Sequence, residues 1–187
     1  GNYETVVVTD PNLARQHIML ASRCVSHTDD RRYAASVFSD IFGKVTNSRL
    51  YYALVESAIA DEAMVYSDTL DQAGAFLTYI SCDPARTGEV IEIYRREVAK
   101  FVAEGPTESE IAAAANNIAT IATLSGEMPL GRMMGVGGDM LSEGRYSSVD
   151  DHLERYLAVT ASDVQSLVAD CDLATFATVT LGPAESV

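Results

Sequence analysis

Two β-type runs, residues 63–70 and 73–82, are separated only by Asp71-Gln72. A connection that short makes a hairpin of antiparallel neighbours, because parallel strands need a crossover of roughly a dozen residues. The start of the chain has the same character. Thr5 to Thr9 is a β-branched run closed by the turn signal Asp10-Pro11-Asn12, and Gln16 to Val25 alternates as a second strand. A last alternating run covers Leu173 to Leu181. Strands that come in adjacent pairs do not form a βαβ array. The pattern therefore predicts an α+β fold with an antiparallel or mixed sheet covered by helices on one face.

The helices read from caps and periodicity. After Thr28-Asp29-Asp30, apolar residues recur at helical spacing from Tyr33 to Phe42, and Gly43 stops them. Ser48 caps a second predicted helix carrying Leu50, Tyr51, Leu54 and Val55. Asp83-Pro84 starts one that runs to Glu104, with an apolar stripe through Val102 broken only at Glu97. Gly105-Pro106 ends it, and Thr107-Glu108-Ser109-Glu110 is a capping box for an Ala-rich helix whose apolar positions run from Ile111 to Ile121. Residues 126–144 hold six glycines and four methionines and read as a flexible, partly helical stretch around Leu130 to Leu141. Met128, Met133, Met134 and Met140 are expected to fill the core, the alternative being an adaptable apolar contact surface. Val149 to Leu157 and a helix capped by Thr160 with Asp163 complete the set. No linker or low-complexity segment divides the chain, so residues 1–187 read as one domain.

Charge and cysteine usage limit the partners. Lys and Arg number 13 against 27 Asp and Glu, a net charge of -14, which argues against a nucleic-acid or anionic-membrane surface. No apolar run reaches the roughly 20 residues that span a bilayer. The chain lacks an initiator Met and enters an apolar run almost at once, so it reads as an excised segment of something longer. Cys24, Cys82 and Cys171 are odd in number and far apart, which fits three unpaired, packed thiols better than a disulfide scaffold or thiolate metal site.

Residue by residue, catalytic chemistry is absent. His17 lies in a predicted strand, His27 in a turn beside Asp29 and Asp30, and His152 in a polar helix segment, with no His-Glu-x-x-His or His-x-x-Glu-His. His27 reads as part of a solvated, helix-capping turn, the alternative being a weak metal site with Asp29 and Asp30, and His152 reads as a polar helix position, so no metal or cofactor is expected in this segment. Gly135-Val136-Gly137-Gly138 fails both the dinucleotide and the Walker patterns, and no Gly-x-Ser-x-Gly occurs. The adjacent carboxylates Asp29/Asp30, Asp61/Glu62 and Asp150/Asp151 suit caps and solvated surface.

As an ordered string the chain is less silent. Ile41-Phe42-Gly43-Lys44-Val45-Thr46-Asn47-Ser48-Arg49-Leu50 is similar to the Leu-Gly-Gly-x-x-Ser-Ser-Arg-Leu stretch of the pitrilysin/insulinase-type zinc metallopeptidases, the family of mitochondrial processing peptidase. Val65-Tyr66-Ser67 and Gly74-Ala75-Phe76-Leu77 resemble its next strands, and Pro106-Thr107-Glu108-Ser109-Glu110-Ile111 resembles a helix start. Val159-Thr160-Ala161-Ser162-Asp163-Val164 is similar to the segment before its last helix and strand.

Members of that family are two related halves closed around a peptide, of which only the first carries the inverted zinc motif. The resemblance implies that this chain is the inactive, C-terminal half. It would wall the chamber and contact peptide while a catalytic half, in the same chain or a separate subunit, holds zinc. The alternative is a structural or assembly module of the same fold. In many members this half supplies an Arg and, seven residues later, a Tyr that grip substrate backbone. Tyr66 matches the Tyr, but Val55 stands where the Arg would follow Leu54, eleven residues before Tyr66, so the pair is not carried over. Tyr66 remains a candidate substrate contact, the alternative being a cross-strand packing aromatic. Arg49 is a second candidate substrate residue, open between an interface role and a helix-start surface position.

Overall fold

A computed structural model describes residues 3–186; residues 1, 2 and 187, the ends of the expected single-domain span, lie outside the described residues. Five strands form one mixed sheet: β1 (Thr5–Thr9), β2 (Gln16–Cys24), β3 (Ala60–Thr69), β4 (Gly74–Cys82) and β5 (Phe176–Gly182). Their spatial order is β1-β5-β2-β4-β3, with β1 and β3 at the edges. Only β1 and β5 run parallel; every other neighbour is antiparallel. The α+β expectation holds, and the Asp71-Gln72 turn closes the β3–β4 hairpin through Leu70 N donating to Ala73 O.

The helices are α1 (Arg32–Gly43), α2 (Thr87–Glu104), α3 (Glu108–Glu127), α4 (Pro129–Ser142), α5 (Val149–Leu157) and α6 (Ala161–Cys171). Strand alternation decides which sheet face they cover. Gln16, Ile18, Leu20, Ser22 and Cys24 of β2 are buried, as are Phe76, Thr78, Ile80 and Cys82 of β4. Against that face an aromatic cluster forms, with the Phe38 ring of α1 centred 5.0 Å from both Phe76 and Phe101. Gly43 ends α1 where its backbone meets β3. A Cβ there would lie 2.4 Å from the Val65 side chain, so only glycine lets the helix approach. No helix is long and apolar enough to cross a membrane among the described residues.

Three local expectations change. The predicted helix after Ser48 forms but is short and widens to π type over Tyr51–Val55. Ser48 Oγ accepts from Tyr51 N at 3.2 Å, and Glu56 N donates five residues back to Tyr51 O at 2.9 Å. The last strand starts at Phe176, because Asp172 turns left-handed (φ 46°) to close α6 and Thr175 N then bonds back to Asp172 O. The four methionines do not fill the core: Met128, Met133, Met134 and Met140 are each half or more exposed, and Asp139 is the buried residue of α4. The stretch expected to be flexible and partly helical is a continuous helix, and its apolar side chains face outward. Ile121 and Val102, assigned to apolar stripes, are exposed too.

Candidate functional site

The second face of the sheet carries no helix-packing core. Register places its side chains in rows: Tyr66 opposite Leu77, Met64 opposite Tyr79, and Tyr79 opposite Met19. The rows continue through Met19 to Val179 and from Val179 to Val6. These positions are half-buried or exposed, giving an apolar and aromatic surface bounded at its two ends by Glu62 and by Asp68 and Arg23. His17 stands on it with Nδ1 2.8 Å from the Tyr79 hydroxyl, their rings stacked. Tyr66, 43% exposed and on the edge strand, projects from this face.

Arg49 sits elsewhere. Its Nε and Nη2 donate to the two carboxylate oxygens of Glu110 at 2.8 and 2.9 Å, and Nη2 also donates to Gly105 O at 2.8 Å. The guanidinium stacks 4.5 Å over the Phe101 ring. Glu110 also closes the capping box with Thr107. The Arg49 bond, with smaller help from Thr107, overcomes partial burial and holds its carboxyl down at about 2. Arg49 thus ties the turn after α1 to the α2–α3 junction.

The remaining sequence candidates scatter, with one exception. Asp29 engages Arg31, Asp30 engages Arg155, and Asp61 engages Arg15, so these acidic pairs are surface ion pairs. All three thiols are buried and free, and burial pushes that of Cys24 up to about 12. The exception joins α4, α5 and the start of α1. His152 Nε2 donates to Asp139 Oδ2 at 3.1 Å, and its Nδ1 lies 2.9 Å from the Tyr33 hydroxyl, which accepts from Arg32 Nη2 at 3.0 Å. His152 is therefore a linked residue of a polar cluster rather than a free surface position. His27 was expected in a solvated turn, yet its Nε2 is buried and without a hydrogen-bond partner, while Nδ1 contacts Thr69 Oγ1 at 3.3 Å. No sequence signal reports this cluster, because its members come from distant segments. Gly135-Val136-Gly137-Gly138 lies within α4 and forms no loop.

A five-stranded mixed sheet backed by helices on one face and open on the other places the chain in the α+β class. Residues 2–118 match the family model for the peptidase M16 inactive domain, and the chain belongs to that family. It is 30% identical over 155 residues to an uncharacterized zinc protease of Streptomyces coelicolor, covering 82% of this chain and 34% of that protein. It is also 25% identical over 168 residues to one from Mycobacterium leprae, covering 89% and 38%. The chain thus spans little more than a third of these relatives. Among solved structures, a peptidase M16 inactive domain from Pseudomonas fluorescens superposes with a TM-score of 0.84 at 17% identity, over 98% of this chain and 45% of that one. A chain of complex III2 from Candida albicans does so at 0.86 and 18%, over 98% and 46%. These last two likenesses concern the fold.

Proposed function

We propose that this domain is the substrate-contacting, non-catalytic half of a zinc metallopeptidase, with its open sheet face turned to the peptide and zinc held by a partner half. The observation that supports this most is the uncovered face itself, with Tyr66 projecting beside Met64 and Leu77 in a chain matching the inactive-domain model. An apolar, aromatic sheet face contacts an extended peptide through side-chain packing and asks for little sequence specificity. Tyr66 is the direct contact. Arg49, engaged by Glu110 and Gly105, acts at one remove by fixing the turn that precedes β3. The net charge of -14 favours basic peptides at low salt and loses that preference as salt screens it.

The exposed apolar residues of α3 and α4, among them Leu124, Met133, Met134 and Leu141, are the surface the partner half covers. A second reading, an assembly module without a proteolytic role, draws on the fold shared with the complex III2 chain. Reconstitution separates them. Adding this domain to the zinc-bearing half of its parent should restore peptide cleavage that neither shows alone. Tyr66→Ala should weaken peptide binding while leaving the melting temperature within about 2 °C, since an exposed side chain away from special features contributes little to stability. Full activity of the zinc-bearing half alone, or a Tyr66→Ala chain that merely unfolds, defeats the substrate-contact role.

A further inference from the structure

The polar cluster at the end of α4 combines features that peptide contact does not explain. Asp139 and Glu143 lie one helical turn apart, and the side chain of each is only 9% exposed. Two carboxylates at i and i+4 repel one another, and burial removes the water that would screen them. His27 comes from the loop before α1, and one donor atom of each of the three residues lies within 4.8 Å of the other two. His27 Nε2 is buried and makes no hydrogen bond.

We propose that His27, Asp139 and Glu143 bind one first-row divalent cation, which braces the C-terminal end of α4 against the loop before α1. The donor set is one imidazole nitrogen and two carboxylates, which suits zinc or manganese better than magnesium or calcium, both of which prefer oxygen alone. The surrounding groups are placed as an outer shell would be. Asp139 Oδ2 accepts from Ser147 N at 3.3 Å and His152 Nε2 at 3.1 Å, whereas no hydrogen bond occupies Oδ1. Glu143 Oε2 accepts from Arg145 Nε at 2.8 Å. Such contacts fix the orientation of a ligating carboxylate.

Arg32 is the competing cation. Its Nη2 makes a close ion contact with Glu143 Oε1. Its guanidinium also donates to the Tyr33 hydroxyl and the His27 carbonyl. An incoming ion takes over Oε1 and leaves Arg32 those two acceptors. With Arg32 and Arg145 both paired to Glu143, the ion enters against positive charge and binding is of moderate strength. A brace is useful here because α4 buries Asp139 rather than its apolar residues.

The test uses the metal-free chain titrated with zinc, manganese, magnesium and calcium ions, followed by calorimetry and thermal melting. One zinc or manganese ion per chain is expected. An ion that binds only the folded state, at ten times its dissociation constant, raises the folded-to-unfolded ratio about elevenfold. For a chain of this size that is a rise of about 3–5 °C in melting temperature. His27→Gln should lower the affinity at least tenfold and abolish the rise; only the 3.3 Å Nδ1 contact with Thr69 Oγ1 is at stake in the metal-free chain, so its melting temperature should stay within about 3 °C of the parent. Cobalt(II) absorption gives a readout independent of stability, with visible bands in the parent chain that His27→Gln weakens. Absence of stoichiometric zinc or manganese binding to the parent chain at 1 mM ion, or unchanged binding in His27→Gln, overturns the site. Neither outcome bears on the peptidase reading, which rests on the sheet face.

Discussion

Replacing Glu110 by Gln tests the Arg49 bridge by its pH dependence. The carboxyl is held from its ordinary 4.5 down to about 2, chiefly by the Arg49 hydrogen bond. Taken at face value that corresponds to about 3.4 kcal/mol. The Glu110 side chain is 30% exposed, however, so solvent screens part of the interaction and about 1–2 kcal/mol is the reasonable expectation. Because the folded-state value is depressed, this stability is fully present above the unfolded value near 4.5 and disappears as pH falls toward 2. Glu110→Gln keeps an oxygen for the Thr107 cap but carries no charge to pair with Arg49. Urea unfolding of both chains at pH 7, 5, 4 and 3 should show a gap of about 1–2 kcal/mol at neutral pH that closes through the acid range. Every other carboxylate is common to both proteins, so its titration cancels in the difference. An Arg49→Met and Glu110→Gln double-mutant cycle should return most of the gap as coupling energy. A gap of equal size at pH 7 and pH 3, or none at pH 7, refutes the charged bridge as its source.

Other expectations follow from packing. Gly74→Ala would put a Cβ 1.9 Å from the Val25 carbonyl oxygen, a backbone atom that cannot swing aside, so a loss of about 2–4 kcal/mol should appear in thermal melts, and a change under 2 °C would contradict it. A thiol reagent at pH 8 should leave the native chain unmodified and find three thiols in denaturant, since Cys24, Cys82 and Cys171 are buried; fast native reaction of any one would contradict that packing. Leu141→Ser changes a side chain that is 86% exposed and should shift the stability of the isolated domain by no more than about 0.5 kcal/mol while weakening association with the zinc-bearing half, and a large stability loss would place Leu141 in a core.

Much of this fold is written in short-range signals. The Asp71-Gln72 hairpin, the Thr107 and Thr160 capping boxes and the stop at Gly43 all depend on neighbours within a few residues, and each forms where the sequence points. The open sheet face is legible in part, because alternation separates the two sides of β2 and β4 without saying which side the helices take. Tyr66 is a candidate through an ordered resemblance and not through its own chemistry. The continuity and the direction of α4 are not legible, because the six glycines and four methionines of residues 126–144 point to a flexible stretch and give no apolar face to orient. The cluster of His27, Asp139 and Glu143 is not legible either, because spacing rules recognise ligands that share one helix or loop and these donors meet only in the fold.

The outward-facing α4 also bears on why such a domain would work in company. Fully burying one large aliphatic or Met side chain is worth roughly 1.5–3 kcal/mol. Leu130, Met133, Met134, Met140 and Leu141 are each at least half exposed, so covering them releases on the order of 5–10 kcal/mol even if burial is incomplete. Association itself costs an estimated 4–15 kcal/mol or more in lost freedom and side-chain ordering. The hairpin of α3 and α4 therefore roughly offsets the cost of docking without supplying a tight complex alone. Further contacts, or a tether in the same chain that raises the effective concentration to millimolar values, must supply the rest. Cutting a parent chain between its halves should then loosen the pair measurably at micromolar concentration while leaving each half folded. Ultracentrifugation of the cut protein, with and without Leu141→Ser, reads this directly. A cut pair that stays fully associated when Leu141, Met133 and Met134 are all changed to Ser would move the contact to another surface.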